Sequence, residues 1–388
     1  MILELEIERV AHGGIFVARH EGKVVFVDDA IDGERVRAQV YQDQGSFLRA
    51  KTIEVLEPSE HRVKHFWKAA SQGAGGAEFG HIALDHQRTL KSQVLTEALE
   101  RMAGIEKSVE VQAMPSDADR GGLHYRTRVQ LNVDAGGTAG PSRIRSNEIV
   151  FTKDLPLAVQ EIEELGLQLK NWSGVEKISI AASSTGDLQW LVDKKVNGSE
   201  RLVERVADRT FRLSTGAFWQ VHTDAPAALT AAVIRAVRSV GFNPEKQNLD
   251  LYAGAGLFSA TIAQAFGGAR FLAVENNKQA VSDGEKSARD LSDLKFEKFD
   301  VLEFLKRTKP GYDTVIMDPP RSGAAGKVIS ALTKLEPRNI VYVACDPVAL
   351  ARDLKQLFAA GYQLRGLESF DIFPHTHHFE CVATLTRE

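Results

Sequence analysis

The sequence predicts a three-part α/β protein, in which an N-terminal β-barrel and a mixed α+β region precede a doubly wound α/β domain. Short β-rich runs separated by turn residues fill the first 57 positions. From about residue 206, apolar strand-like runs alternate with helical stretches, which is the pattern of a parallel sheet covered on both faces. The 388 residues are enough for two or three domains, each with its own core.

Composition excludes several classes of protein. Hydrophobic residues make up 43% of the chain and charged residues 26%, as in folded globular proteins. No apolar run approaches the ~20 residues that span a bilayer, so we expect a cytoplasmic protein with no membrane partner. A net charge of -4 argues against non-specific coating of nucleic acid but is compatible with a local basic groove. Cys345 and Cys381 are too few for a disulfide framework or a four-thiolate metal site.

The first predicted domain, residues 1–57, is an OB-like barrel. Its strand-like runs, separated by turns rich in glycine and aspartate, are residues 3–10, 24–27, 34–41 and 47–55. Pro58, Ser59 and Glu60 follow as a predicted linker.

The predicted central domain, residues 58–205, mixes helix and strand. Apolar side chains at helical spacing predict a helix over residues 85–103, which we expect to pack on the C-terminal domain. Strand-like runs follow at residues 127–133, 177–182 and 188–192. Five arginines concentrate positive charge here: Arg120, Arg126, Arg128, Arg143 and Arg145. They form either a solvated face or a surface for phosphate contact, and the sequence leaves both open.

The third predicted domain, residues 206–388, carries a ligand site at a sheet edge. Its predicted buried parallel strands are residues 248–252, 270–274, 314–317 and 340–344. Gly254 and Gly256 follow the first of these strands and open a helix, so the backbone can approach a ligand there. Ser259 stands where a dinucleotide fingerprint requires its third glycine, which disfavours nicotinamide binding.

Two carboxylates favour an adenosine ligand at this edge. Glu275, at the end of the next strand, can accept hydrogen bonds from both ribose hydroxyls, although a plain surface glutamate is the alternative. Asp300, after the following strand, can meet the adenine amino edge. Together with the glycines they favour S-adenosylmethionine as the cofactor.

Two further strand exits carry reactive side chains. Asp318-Pro319-Pro320-Arg321 holds a carboxylate and a guanidinium rigidly at the cofactor edge, and the absence of an aromatic residue after the prolines disfavours methylation of exocyclic amines. Cys345 ends another strand, and Pro347 begins a helix whose positive end is expected to favour the thiolate. A buried structural cysteine is the alternative, but the position at the ligand edge favours a nucleophile.

A thiolate suits methyl transfer to C5 of uracil, because its addition at C6 makes C5 nucleophilic. A base must then remove the C5 proton. Glu380, at the start of the terminal strand, is the candidate, with an ordinary edge-strand glutamate as the alternative. The preceding histidines, His375, His377 and His378, match no standard zinc-ligand spacing, so we predict no metal site.

These motifs resemble those of the RNA uracil-5-methyltransferase family, which makes 5-methyluridine in tRNA and ribosomal RNA. The resemblance rests on Tyr252 with Gly254 and Gly256, Asp318-Pro319-Pro320-Arg321, Ala344-Cys345-Asp346-Pro347, and Phe373-Pro374-His375-Thr376-His377 with Glu380. Residues 216–220 look like the family's cofactor and substrate loop. The N-terminal barrel looks like a TRAM domain, an RNA-binding OB-like module, so the resemblance spans essentially the whole chain.

The resemblance implies a monomeric, S-adenosylmethionine-dependent enzyme with a C-terminal Rossmann-like methyltransferase domain and tRNA or ribosomal RNA as its partner. Cys345 would be the nucleophile and Glu380 the base. The implied cofactor residues are Gln220, Tyr252, Gly254, Gly256, Glu275, Asp300 and Asp318. On the substrate side the resemblance implies Phe218, Arg321 and, again, Asp318.

The chain departs from the family pattern at three places. Many relatives hold an iron–sulfur cluster with a Cys-Gly-Gly-Cys box, whereas this chain has Ala74-Gly75-Gly76-Ala77, so no cluster is predicted. His222 stands where relatives commonly have Asn, and Leu257 where a polar residue is common.

Two other functions stay open on the sequence alone. A non-catalytic RNA-binding or RNA-folding protein would not need Cys345 and Glu380. A C5 methyltransferase for cytosine or for a small aromatic substrate would not need the barrel.

Overall fold

The computed structural model describes residues 1–387 and begins with a six-stranded barrel. Its strands are β1 (Ile2–Glu6), β2 (Arg9–Ala11), β3 (Ile15–His20), β4 (Lys23–Asp28), β5 (Arg35–Asp43) and β6 (Phe47–Glu57). Their order in the sheet is β1-β5-β6-β4-β3-β2. Burial alternates along β1, where Leu3 and Leu5 face the barrel core and the glutamates face outward. The predicted β-barrel is confirmed.

A buried carboxylate fixes the segment that leaves the barrel. Glu34 is 1% exposed and accepts hydrogen bonds from the backbone N–H groups of Ile31 and Ser59, at 2.9 and 3.2 Å. The Arg62 guanidinium donates to both of its oxygens. These charge-assisted hydrogen bonds from Ser59 and Arg62 to Glu34 hold the predicted linker against the barrel.

The central region contains a long helix and an antiparallel sheet. Its elements are α1 (Lys68–Ser71), α2 (Leu84–Ala98), a π-helical turn (Leu99–Ala103), β7 (Val111–Gln112), α3 (Asp117–Arg120), β8 (Arg128–Val133), β9 (Ala139–Gly140), α4 (Gln160–Glu164), a 3-10 turn (Leu167–Leu169), β10 (Lys177–Ala182), β11 (Leu188–Val192) and β12 (Lys195–Gly198). The sheet order is β12-β11-β10-β8-β9. The apolar face of α2 and of the π-helical turn joins the core of the C-terminal domain through Leu95, Ala98 and Leu99.

A hairpin connects the central region to the C-terminal domain. It is formed by β13 (Leu202–Val206) and β14 (Arg209–Leu213), and its buried side chains share a core with the next helix, α5 (Ala225–Ser239). The predicted boundary between residues 205 and 206 falls inside this hairpin. We propose that the C-terminal domain begins before the hairpin, at Leu202.

The C-terminal domain is an eight-stranded sheet with helices on both faces. Its further elements are β15 (Gln247–Leu251), α6 (Leu257–Ala265), β16 (Phe271–Glu275), α7 (Lys278–Ser287), β17 (Leu294–Lys298), α8 (Val301–Arg307), β18 (Tyr312–Met317), α9 (Ala325–Thr333), β19 (Asn339–Ala344), α10 (Pro347–Ala359), β20 (Gln363–Phe370) and β21 (Glu380–Thr386). The order is β17-β16-β15-β18-β19-β21-β20-β7. Strands β15 to β19 are parallel, whereas β21 runs antiparallel to both of its neighbours.

The connectivity of this sheet explains where a ligand can bind. The chain moves outward from β15 to β17 and then returns to the other side of β15 as β18, so the strand order reverses beside β15. Ligands in open α/β sheets bind at such a reversal, beyond the carboxyl ends of the strands. The doubly wound fold class is confirmed.

Within residues 1–387, no helix combines the length and apolar character that crossing a membrane requires.

Candidate active site

The side chains that we predict from strand ends meet at one edge of the sheet. Tyr252 follows β15, Glu275 ends β16, Asp318 follows β18 and Cys345 follows β19. Glu380 begins β21, and because β21 is antiparallel to β19 its start lies at that same edge. The parallel topology therefore gathers residues that are far apart in sequence.

The exit from β15 is a strained, glycine-supported loop. Tyr252 has φ of 61°, Gly254 of 55° and Gly256 of 79°. A non-glycine residue in this region is uncommon and marks functional loops. A Cβ on Gly256 would lie 2.6 Å from the Phe296 ring, so no side chain fits there. This loop brings backbone N–H groups to the sheet edge.

Glu275 organises the same loop. Its Oε2 accepts from the Gly254 N–H at 3.0 Å, and its Oε1 accepts from the Asn277 N–H at 2.7 Å. Each carboxylate oxygen has a second acceptor position. Glu275 can therefore hold the loop and still accept hydrogen bonds from a bound diol.

Asp250 is a site residue that the sequence analysis did not single out. It is 1% exposed, and its Oδ2 accepts from the Ser259 N–H at 3.1 Å. Burial raises the pKa of Asp250 to about 6, the Ser259 hydrogen bonds oppose that shift, and the Glu275 charge adds to it. The available signal was a lone acidic residue inside an apolar strand.

Of the remaining predicted cofactor and substrate residues, Asp300 lies at this edge near Tyr252, whereas Gln220 lines a separate pocket and Phe218 is exposed. Asp300 caps α8, where its carboxylate accepts from the Glu303 N–H at 3.1 Å. Gln220 is 8% exposed and lines a pocket with Trp219 and His222. Phe218 is 74% exposed, so its ring is free to contact a large ligand.

The Asp318 and Glu380 carboxyl groups lie close enough for the charge of Asp318 to act on Glu380. Burial and the nearby Asp250 raise the pKa of Asp318 to about 7. Burial raises the pKa of Glu380 well above its ordinary value, Asp318 adds to the effect, and Arg321 opposes it. Within the described residues, Glu380 Oε1 has no hydrogen-bond partner. A buried carboxylate with a raised pKa and a free oxygen is suited to accept a proton.

Cys345 lies across from Glu380 on the neighbouring strand. Ala344 pairs with Cys381 in the β19–β21 ladder, so the next residues outward are Cys345 and Glu380. Arg321 lies close enough to lower the pKa of both groups. The sheet register thus brings together the predicted nucleophile and base.

The expectation that the helix end favours the Cys345 thiolate is wrong. Burial, with the charges of Glu380 and Asp318, raises the pKa of the thiol to about 12. The amino end of α10 is already occupied, because Asp346 Oδ1 accepts from the Ala349 N–H at 2.8 Å. A carboxylate in the capping position offsets the positive helix end that the thiolate would use.

Helix α2 holds the loop that leads to Glu380. Gln87 donates to His375 Nδ1 at 3.2 Å and accepts from the His375 N–H at 2.8 Å. One turn later, Lys91 Nζ lies 2.5 Å from Asp371 Oδ1 and donates to the Phe373 carbonyl at 3.1 Å. Both α2 side chains are buried. A helix of the central region therefore fixes the loop that precedes Glu380.

Apolar packing occupies the segment that replaces the cysteine box. Ala74 and Ala77 are buried in a cluster with Trp67, Tyr125 and Leu157. Trp67 Nε1 also donates to Thr152 Oγ1 and Asp154 Oδ1, at 3.1 and 3.0 Å. Side-chain packing and hydrogen bonds thus fix this segment.

Most of the central arginines have structural partners. Arg128 pairs with Glu204 at 2.7 Å, Arg143 with Glu148 at 2.8 Å, and Arg145 with Asp28 of the barrel at 3.2 Å. Arg120 Nη1 donates to the His124 carbonyl. The charge therefore contributes to domain contacts, and Arg143 and Arg145 also remain accessible.

The two single residues that differ from the family pattern, His222 and Leu257, have packing roles. His222 is fully buried beside Asp117 at 3.3 Å and stacks on Tyr125. Leu257 begins α6 and is buried in the domain core.

In the part of the chain that the structure describes, no group of three or more His, Cys, Asp or Glu side chains is arranged to hold a metal ion.

Comparison with known proteins places this geometry in a family. Residues 287–388 match the family model described as tRNA (Uracil-5-)-methyltransferase, and residues 2–53 match the TRAM domain. An RNA methyltransferase of Streptomyces avermitilis, described only as uncharacterized, is 37% identical over 98% of this chain and 97% of its own length. The chain belongs to the RNA uracil-5-methyltransferase family.

Other family members and one structure extend the comparison. An uncharacterized RNA methyltransferase of Bifidobacterium longum is 33% identical over all of this chain and 97% of its own. The crystal structure of a Pyrococcus abyssi tRNA (uracil-54, C5)-methyltransferase with S-adenosyl-L-homocysteine superposes with a TM-score of 0.77, covering 99% of this chain and 100% of that one. At 21% identity, the latter match shows that the two share a fold. Residues 208–336 also match the methyltransferase small domain.

Proposed function

We propose that this RNA methyltransferase transfers a methyl group from S-adenosylmethionine to C5 of a uridine in tRNA or ribosomal RNA. The observation that carries the proposal is the β19–β21 register, which sets Cys345 across from Glu380 at the ligand edge of the sheet. RNA binding alone would require neither side chain.

The residues at the β15 edge fit an adenosine-containing cofactor. S-adenosylmethionine supplies a methyl group activated on a sulfonium. Glu275 would accept hydrogen bonds from the ribose hydroxyls, as its available acceptor positions allow. Asp300 would bind the adenine amino group, while Gln220, Tyr252 and the Gly254–Gly256 backbone would enclose the remainder. The solved Pyrococcus abyssi structure, which contains S-adenosyl-L-homocysteine in the same fold, supports this assignment.

The chemical steps follow from the two strand-end residues. The Cys345 thiol, which is partly exposed, would lose its proton to water and add as a thiolate to C6 of uracil. The electron pair that this addition places on C5 would take the methyl group, and S-adenosylhomocysteine would leave. Glu380 then removes the C5 proton, and elimination of the Cys345 sulfur restores the ring. Asp318, beside both groups, would hydrogen-bond the uracil edge. Its pKa of about 7 lets Asp318 serve as a donor when protonated or as an acceptor when ionised.

An aromatic face on the barrel is suited to the RNA partner. Phe26 and Phe47 lie on the outside of β4 and β6 with ring centroids 5.4 Å apart, and the Arg49 guanidinium lies 5.6 Å from each ring. Exposed Tyr41 extends this face, and Arg145 of the central region donates to its hydroxyl at 2.7 Å. Rings combined with guanidinium groups bind unpaired bases by stacking and phosphates by charge. We propose that RNA lies along this face.

Nucleoside analysis tests the proposed reaction. The protein is incubated with methyl-labelled S-adenosylmethionine and, in separate reactions, with unmodified tRNA and ribosomal RNA, and the digested nucleosides are identified by mass spectrometry. Label in 5-methyluridine is expected from one of the two RNAs. Label in 5-methylcytidine, or cofactor binding without label in either RNA, would contradict the proposal.

The Glu380→Gln variant tests the base. An amide cannot accept the C5 proton, so addition and methyl transfer should proceed while elimination stalls. A methyl-labelled protein–RNA adduct that survives denaturation should accumulate, and the additional Cys345→Ala change should abolish it. Normal turnover by Glu380→Gln would show that another group removes the proton.

A further inference from the structure

The turn between β2 and β3 of the barrel reaches the residue next to the nucleophile. His12 Nε2 lies 2.8 Å from Asp346 Oδ2, although 334 residues separate them in sequence. Asp346 directly follows Cys345. The first domain therefore contacts the catalytic strand exit through a side chain.

Asp346 divides its two oxygens between the helix and the barrel. Oδ1 accepts from the Ala349 N–H at the start of α10, while Oδ2 faces His12. The hydrogen bond to Asp346 raises the pKa of His12. Burial opposes the ionisation of Asp346, but His12 and the helix N–H groups lower the pKa of this carboxyl overall. The two side chains therefore favour each other's charged form.

A second contact of the turn holds it in place. Gly14 has φ of 71°, and a Cβ there would lie 2.7 Å from Cβ of His377, in the loop that precedes Glu380. The small cavity beside Cys345 is lined by His12, Gly13 and Gly14 of this turn together with residues 377–379. The barrel turn is one wall of this pocket.

We propose that His12 is a positioning residue for the methyl-transfer reaction. By holding Asp346 it fixes the backbone that presents Cys345, so the barrel contributes to the chemical step in addition to binding RNA. The inference rests on the proposed function, since it assigns His12 a part in the same reaction. Contact between the barrel and RNA would not explain this role of His12.

Three variants of the full chain test this role. His12→Ala removes the contact. His12→Gln can place an amide N–H near the position of Nε2 and should restore the hydrogen bond to Asp346. His20→Ala removes a histidine at the end of β3, away from the pocket, and is the matched control.

The first measurement separates chemistry from RNA affinity. Under single turnover with saturating RNA, His12→Ala should slow methyl transfer by about ten- to a hundredfold, the range for a small misplacement of a reacting group. The RNA dissociation constant should stay at the wild-type value, His12→Gln should recover most of the rate, and His20→Ala should behave as wild type. A wild-type rate in His12→Ala, or a defect that appears only as weaker RNA binding, would overturn the inference.

The second measurement does not depend on methyl transfer. Iodoacetamide labelling of Cys345, followed by mass spectrometry with buried Cys381 as the internal reference, reports how well the strand exit is held. Faster labelling is expected in His12→Ala but not in His20→Ala. Equal labelling in His12→Ala and wild type would refute the role of His12. If labelling changes as expected while the wild-type protein methylates no RNA, then the proposed function fails and the positioning contact stands.

Discussion

Replacing Lys91 by Met should strongly destabilise the protein. The Lys91 ammonium lies 2.5 Å from the Asp371 carboxylate, and the two side chains are 1% and 0% exposed. Within the described residues, Asp371 Oδ2 has no hydrogen-bond partner, so Lys91 provides the main compensation for this buried charge. Methionine keeps the length and the apolar stem of lysine but removes the charge. Leaving one buried ion unpaired costs about 3–5 kcal/mol.

A double-mutant cycle isolates the ion pair from other effects of the substitution. In Lys91→Met/Asp371→Leu neither charge is left buried, and replacing a whole buried pair by apolar groups is close to neutral or stabilising. The double variant should therefore be more stable than Lys91→Met alone. Lys306→Met removes the exposed partner of Glu303 in α8 and is the control, with an expected loss below about 1 kcal/mol.

Urea unfolding followed by tryptophan fluorescence measures the free energy of unfolding of each variant. The cycle also includes the single variant Asp371→Leu. If Lys91→Met is as stable as Lys306→Met, the buried pair does not stabilise the fold as argued. The same conclusion follows if the stability losses of Lys91→Met and Asp371→Leu simply add in the double variant. Methyl transfer provides a second measurement, because Asp371 and Phe373 begin the loop that leads to Glu380. We expect Lys91→Met to lose activity at temperatures where it is still folded.

Three other perturbations have defined outcomes. Cys345→Ala should abolish methyl transfer while leaving the S-adenosylmethionine dissociation constant unchanged in calorimetry, because the thiol activates the base and does not hold the cofactor; residual turnover would exclude the mechanism. Because the pKa of Cys345 is raised to about 12, its alkylation rate should rise about tenfold per pH unit from pH 7 to pH 9, and a plateau near neutral pH would contradict the raised pKa. Trp67→Ala should lower stability by about 3–5 kcal/mol through lost packing and hydrogen bonds, whereas iron chelators should leave the wild-type unfolding midpoint unchanged; a chelator-sensitive midpoint would refute apolar packing as the support of residues 74–77.

Local patterns predicted the parts of the molecule that depend on neighbours in sequence. The parallel strands could be predicted because each is a short apolar run, and Tyr252, Glu275, Asp318 and Cys345 could be grouped because parallel strands end at one edge. Placing Glu380 at the same edge also requires that its strand, β21, pairs antiparallel with β19. The structure shows this pairing, which the sequence alone does not reveal.

The errors arise where local patterns contain no information. The thiolate expectation failed because Asp346 caps α10 and carboxylates surround the thiol, and both depend on three-dimensional neighbours. The proposed start of the C-terminal domain at Leu202 likewise depends on which core the hairpin joins, and strand periodicity does not show that. The partners His12 with Asp346 and Lys91 with Asp371 are 334 and 280 residues apart, beyond any periodicity.

These contacts between residues far apart in sequence affect the order in which the protein can fold during synthesis. On the ribosome the barrel emerges before the other two parts, and the His12 turn has no partner until Asp346 has been translated. Lys91 of helix α2 likewise has no ion-pair partner until Asp371 has been translated. Folding of the three parts in order of synthesis can therefore produce a barrel and a central sheet early, but a working pocket only after the chain has folded back on its own beginning.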